Sequence, residues 1–264
     1  MLGSLRLRGR AERPGTVVEP GHRPLAGILD TVSYSIRRVT TTRAGGVSSA
    51  PFDSFNVGDH VGDDPDAVAA NRRRLAEGIG LVDRIVWMHQ VHGDRVVAVD
   101  GPGHTVDNAD GLVTTKPRLA LAVVTADCVP VLMADARAGV VAAVHAGRVG
   151  AQNGVVVRAV EEMLRAGAHP ADISVLLGPA ASGRNYEVPA AMAADVEATL
   201  PGSRTKTVHG TVGIDLRAGI ARQLQELGVV SIAIDPRCTI DDDALFSHRR
   251  GAPTGRLASL VWME

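Results

Sequence analysis

Residues 119–166, LALAVVTADCVPVLMADARAGVVAAVHAGRVGAQNGVVVRAVEEMLRA, decide the fold. The stretch opens with two near-continuous apolar runs, 119–125 and 129–134, and a third follows at 140–144. Runs of this length without alternation are expected of strands buried on both faces. From 154 to 166 the period changes, and Val155, Val156, Ala159, Val160, Met163 and Leu164 recur at helical spacing.

The same grammar extends outward. Upstream, residues 32–41 predict a strand, and the glycine-rich turn Arg43-Ala44-Gly45-Gly46 follows it. Residues 64–78 predict a helix, with Asp64 as its cap ahead of Pro65. Short strands are expected at 85–88 and 95–99, around the turn pair Gly93-Asp94. Downstream, strands are expected at 173–177, 230–234 and 258–263, and helices at 189–200 and 214–227. There is no internal repeat and no Ser/Gly-rich linker, so residues 29–264 are expected to form a single α/β domain of mixed sheets flanked by helices. No Gly-x-Gly-x-x-Gly opens a helix after a strand, and the connections are too irregular for a doubly wound fold. Residues 1–28 differ in kind. Arg6, Arg8, Arg10, Arg13 and Arg23 alternate with Gly and Pro and show no apolar period, which predicts a disordered basic tail. A transit peptide is the alternative, weakened by Glu12 and Glu19.

Bulk composition narrows the function classes. Of 264 residues, 45% are hydrophobic and only 3% aromatic, so the core must be built from Val, Ala and Leu. A formal net charge of -1 gives no electrostatic case for nucleic acid or a membrane surface and leaves small-molecule substrates open. Two cysteines, Cys128 and Cys238, are not a disulfide framework, and free or metal-bound thiolates in a reducing compartment fit better than one bridge. No secretory signal opens the chain and no apolar run approaches the ~18 residues of a membrane span, so a cytoplasmic location is expected.

Three residues carry the most chemistry. His92, Cys128 and His145 each stand beside a small or turn-forming residue at the end of an apolar run, where side chains can converge on a rigid scaffold. Together they are a His₂Cys set, the ligand count of a catalytic zinc that keeps one position open. Mixed nitrogen and sulfur ligation favours zinc, with copper as the chief competitor. The same atoms also allow a Cys128–His145 nucleophile and base, with Asp127 or Asp110 orienting the imidazole. For an anion, Arg43 precedes flexible glycines, and Arg249-Arg250-Gly251 forms a second basic cluster. There is no His-x-His for a multicopper cluster, no zinc deaminase signature, no Gly-x-Ser-x-Gly and no phosphate-binding loop ending in Gly-Lys-Ser/Thr.

The wording around these residues is more specific than their spacing. It includes Thr42-Arg43-Ala44-Gly45-Gly46, Phe55-Asn56-Val57-Gly58, Gln90-Val91-His92-Gly93, Ala126-Asp127-Cys128-Val129-Pro130, His145-Ala146-Gly147, Arg249-Arg250 and Thr254-Gly255-Arg256. In these stretches, from about residue 38 to the end, the chain resembles the YfiH-like family, once labelled multicopper polyphenol oxidases or "laccase domain" proteins. The resemblance implies a YfiH-like sandwich, shared distantly with a toxin deamidase, and zinc held by His92, Cys128 and His145. It also implies phosphorolysis of adenosine, inosine and methylthioadenosine, and deamination of adenosine by a water activated at the metal. On this reading the partners are a purine nucleoside and phosphate, with Arg43, Asn56, Arg249 and Arg250 as the expected substrate and phosphate contacts. Asp127 is the expected proton shuttle, beside Cys128 and His145. Two rivals stand beside it: an amide hydrolase of peptidoglycan precursors using Cys128 and His145, and a metal-stabilised binding domain without enzymatic activity. Oligomeric state is left open. One departure stands out, because the family's usual Trp-Arg-Gly after His-Ala-Gly is here Arg148-Val149-Gly150.

Overall fold

The computed structural model describes residues 33–103 and 105–264, so the expected tail at 1–28 lies outside the described residues. The first half of the chain forms β1 (Ile36–Thr40), α1 (Pro65–Gly78), β2 (Ile85–Val86), β3 (Val96–Ala98), β4 (Gly111–Thr114), β5 (Ala120–Thr125), β6 (Val129–Asp135) and β7 (Val140–Ala146). Then come α2 (Arg148–Gln152), α3 (Val155–Arg165), β8 (Ile173–Leu177), α4 (Ala190–Thr199), β9 (Arg204–Lys206), β10 (Val212–Ile214), α5 (Leu216–Glu226), β11 (Ser231–Ile234) and β12 (Leu257–Met263).

The strands build a four-stranded sheet in the order β1-β12-β5-β2 and a six-stranded sheet in the order β11-β8-β6-β7-β4-β3, with β9 and β10 as a separate pair. Both larger sheets are mixed: β2 runs parallel to β5 and β3 to β4, whereas β5–β12 and β6–β7 are antiparallel. Residue alternation shows why the central runs are apolar throughout. In β6, Leu132 and Ala134 pack between the sheets with Leu121, Val123, Val261 and Met263. Val131 and Met133 turn the other way, onto Val156, Val160 and Met163 of α3. In β5, Ala120, Ala122 and Val124 pack outward with Leu75 of α1 and with Phe55. Helix, sheet, sheet and helix thus form layers, and the inner strands have no solvent face. Leu132 is fully buried at the centre, so Leu132→Ala is expected to cost about 2–5 kcal/mol.

The expected mixed α/β architecture is present, with local revisions. The strand expected at 85–88 keeps only two ladder residues, and Met88 forms an isolated bridge to Val106. The helix expected from 214 starts at Leu216, because Ile214 pairs with Arg204 and the Asp215 carboxylate caps Ala218 N–H. Asp64 caps α1 as expected, its side chain accepting from Asp66 N–H. Strands β4, β9 and β10 and the short helix α2 carry no readable period in the sequence. Among the described residues no helix is long and apolar enough to cross a membrane.

Candidate metal centre and active site

The β6–β7 register sets Pro130 against His145, so Cys128, just before β6, arrives beside the end of β7. Asp127 and His92 both adopt positive φ, 96° and 58°, which only glycine takes without strain. At His92 one buried carboxylate holds that conformation. Asp110 Oδ2 accepts from Gly93 N–H at 2.7 Å and Val91 N–H at 3.2 Å, and Oδ1 accepts from His92 N–H at 3.0 Å. Gln90 anchors the same loop to β5, donating to Val124 O at 2.7 Å and accepting from Val124 N–H at 2.8 Å.

Asp110 also fixes the second imidazole. His145 Nδ1 lies 2.8 Å from Asp110 Oδ1, and both side chains are buried. An ionised carboxylate only accepts, so Nδ1 carries a proton, and in the neutral imidazole, the form that binds a metal, the lone pair falls on Nε2. Sequence reasoning left Asp127 and Asp110 as alternatives for this orienting role, and the contact is made by Asp110. The ligand atoms of His92, Cys128 and His145 lie within 4.8 Å of one another, and Cys128 Sγ is 3.8 Å from His92 Nε2. The two rings meet edge to face, with centroids 4.7 Å apart. A tetrahedral zinc with ordinary bonds would separate sulfur and nitrogen by roughly 3.5 Å. The donor set and its spacing therefore fit such an ion after small side-chain adjustments. Gly147 makes the approach possible, since a Cβ there would stand 2.8 Å from His92 Cδ2 and 3.1 Å from Cys128 Sγ.

Without a metal, the same proximity couples the titration of the thiol and the imidazole. Burial pushes the Cys128 thiol up, but the charge of His145 and hydrogen bonds from both imidazoles outweigh it and bring the pKa down to about 6. Burial pushes His145 down, but the Cys128 thiolate and Asp110 raise it to about 9. Burial likewise pushes Asp110 up, and the His145 contact with the loop N–H donors holds it below the ordinary carboxylate range.

The three ligands line a cavity of about 580 Å³, together with Arg148, Tyr186, Arg249 and Arg256. Arg249 stacks on the Tyr186 ring at 4.6 Å. Arg148 donates to Gln152 Oε1 at 2.9 Å, while the neighbouring Val149 is 40% exposed. The other expected contacts are placed differently. Asn56, expected as a substrate contact, is wholly buried, its amide donating to Gly58 O and Asp63 and its oxygen accepting from Gly58 and Arg256 N–H, so it clamps the backbone around it. Arg43 pairs with Asp53 at 2.9 Å, and Arg250 donates to the carbonyls of Thr239, Asp242 and Leu245. Both line a separate cavity of about 380 Å³, away from the metal ligands, because their guanidinium groups close loops. Asp127 does line the main cavity, but its carboxylate accepts from Thr239 and Ser247 hydroxyls at 2.6 and 2.7 Å and from Arg249 N–H at 2.7 Å. Three donors tie it to the 239–249 segment. Arg256 was not singled out as a site residue from the sequence, although it stands in the Thr254-Gly255-Arg256 motif.

Among the described residues this is the one group of three or more His, Cys, Asp or Glu side chains placed to hold a metal. A two-sheet α/β scaffold thus brings three side chains that could hold a metal to one open cavity. The chain belongs to the family described as multi-copper polyphenol oxidoreductase laccase, which matches residues 37–264. A Mycobacterium tuberculosis protein named purine nucleoside phosphorylase is 74% identical over 90% of this chain and 96% of its own length. A Corynebacterium glutamicum protein of the same name is 57% identical over 89% of this chain and 97% of its own. The crystal structure of YlmD from Geobacillus stearothermophilus superimposes with a TM-score of 0.81 at 35% identity, covering 87% of this chain and 92% of that one. YfiH from Bacillus licheniformis gives 0.82 at 30% identity, covering 89% and 98%.

Proposed function

We propose that this chain is a zinc-dependent purine nucleoside phosphorylase acting on adenosine, inosine and methylthioadenosine, with adenosine deaminase activity, working in the cytoplasm. The observation that carries the reading is one cavity lined by His92, Cys128, His145 and three arginines, Arg148, Arg249 and Arg256. It is supported by the names of the similar proteins and by the donor set, which suits zinc better than copper. Zinc bound there would supply Lewis acidity at its open position.

The chain's own residues do the rest. Asp110 holds His145 in one tautomer and fixes the 91–93 loop, so the ligand side of the cavity is rigid before substrate arrives. Phosphate attacks ribose C1′ as the glycosidic bond breaks, and the guanidinium groups hold this anion against the developing positive charge on the sugar. The departing purine needs a proton, and His60 and His248, both on the cavity wall, are this reading's donors for it. Asp127 is assigned to positioning rather than proton transfer, since its carboxylate organises the backbone of Arg249.

Incubating the zinc-loaded protein with adenosine, with and without phosphate, tests the reading. Ribose 1-phosphate formed only with phosphate supports phosphorolysis, and inosine supports deamination. Neither product would overturn it. The thiolate–imidazolium tendency of Cys128 and His145, oriented by Asp110, favours amide hydrolysis as the second reading. Release of serine from a muramyl precursor, without nucleoside turnover, would establish that one instead.

A further inference from the structure

The Phe55-Asn56-Val57-Gly58 segment contributes no metal ligand and, at Asn56, no surface. Besides contacts with Arg43, Asp63, Asn71 and Arg72, it grips one residue two hundred positions away. Asn56 Oδ1 accepts from Arg256 N–H at 2.8 Å, and Val57 N–H donates to Arg256 O at 3.3 Å. Gly58 lies flat against the Arg256 stem, where a Cβ would stand 2.6 Å from Arg256 Cγ. Backbone and side-chain stem of Arg256 are thus both clamped by this segment.

The head group of Arg256, like those of Arg148 and Arg249 on the same cavity wall, pairs with no carboxylate among the described residues, and it also leaves one edge open. Nη1 donates to Thr254 O at 3.0 Å and Gly255 O at 3.1 Å, which is sufficient to close the loop. Nε and Nη2 have no protein acceptor among the described residues. Arg43, Arg72 and Arg237 each pair with a carboxylate, whereas Arg256 pairs with none among the described residues. It is half-buried and lines the cavity of the metal ligands. Burial lowers its pKa, opposed by the negative charge of Cys128 and Asp127, which places the head near those two residues. Those two charges offset burial only in part and neither forms an ion pair with the head among the described residues, so an anion accepting from it directly is favoured. Two free N–H directions in one plane suit an oxyanion.

We propose that Arg256 binds the phosphate co-substrate, with Arg249 as the second contact, and that Asn56 and Gly58 are positioning residues that aim it. The assignment rests on the phosphorylase reading and deepens it. It also gives the Asn56-Val57-Gly58 segment a task at the site.

Phosphorolysis of inosine with phosphate varied, paired with phosphate titration of the zinc-loaded protein followed by ³¹P line broadening, tests it. Arg256→Gln is expected to raise KM for phosphate about tenfold to a hundredfold and to abolish the line broadening, with zinc content and KM for inosine nearly unchanged. Arg256→Lys, which keeps the charge and loses the fork, is expected to fall between the two, and it serves if the Gln variant does not fold. Asn56→Ala is expected to raise KM for phosphate more than it lowers kcat, a split that loss of stability alone does not produce. An unchanged KM for phosphate in a folded Arg256 variant overturns the proposal while leaving phosphorolysis intact. If the native protein makes no ribose 1-phosphate, the phosphorylase reading falls. Arg256-dependent line broadening then still supports an anion site, and its absence overturns that too.

Discussion

His145 and Asp110 form a buried imidazole–carboxylate pair, Nδ1 to Oδ1 at 2.8 Å, in which the carboxylate also accepts the N–H groups of Val91, His92 and Gly93. One side chain therefore sets the tautomer of one candidate metal ligand and the backbone of another. Asp110→Asn is expected to weaken zinc affinity about 10–100-fold, measured by competition with a chelator. The folded-state pKa of Asp110 is depressed, so the stability it contributes is present above its unfolded value of about 3.9 and is lost as pH falls through the folded value. The metal-free protein should lose stability in that acid range, and the Asn variant should show a smaller loss there.

In the metal-free protein Cys128 is expected to react with iodoacetamide along a pH profile with its midpoint near the value of about 6 set by His145. Bound zinc should protect it. Peptide mapping separates Cys128 from the buried Cys238. A midpoint above about 8, where an ordinary thiol titrates, would contradict the thiolate–imidazolium pairing.

Gly147→Ala tests the packing of the ligands. The new methyl would meet His92 Cδ2 at 2.8 Å and Cys128 Sγ at 3.1 Å, which pushes two ligands apart. Zinc affinity is expected to fall at least about tenfold, while the melting temperature of the metal-free protein changes little. Equal affinity in the variant would mean that the ligands do not need this close approach.

Much of the fold was legible because burial on both faces leaves a plain mark. Strands β5, β6 and β7 are apolar at nearly every position, and α3 switches to a helical period at once. Strand β4 is four residues long and β9 and β10 three each, too short for any period to register. The convergence of His92, Cys128 and His145 on one cluster that could hold a metal was legible from ligand chemistry at strand ends. The burial of Asn56 was not legible, because a polar residue beside a glycine reads alike whether it faces a ligand or clamps a backbone. Arg43 and Arg250 were singled out beside glycines while Arg256, which also follows a glycine, was not, because only the fold reveals which guanidinium groups are already paired.

The Arg148-Val149 departure gives a further prediction. Arg148 is on the cavity wall and Val149 faces outward, so an aromatic at 148 would add a stacking surface for a purine. Arg148→Trp with Val149→Arg is expected to lower KM for nucleoside about fivefold or more, at unchanged zinc content. Higher thermal stability with unchanged kcat/KM would show that the pair only packs the turn.

Metal analysis of the native protein beside Cys128→Ser tests the central claim most directly. The account predicts about one zinc per chain in the native protein and almost none in the variant, since a hydroxyl is a poor replacement for thiolate in a His₂Cys set. Equal zinc in both proteins, or none in the native protein purified without chelator, would contradict it.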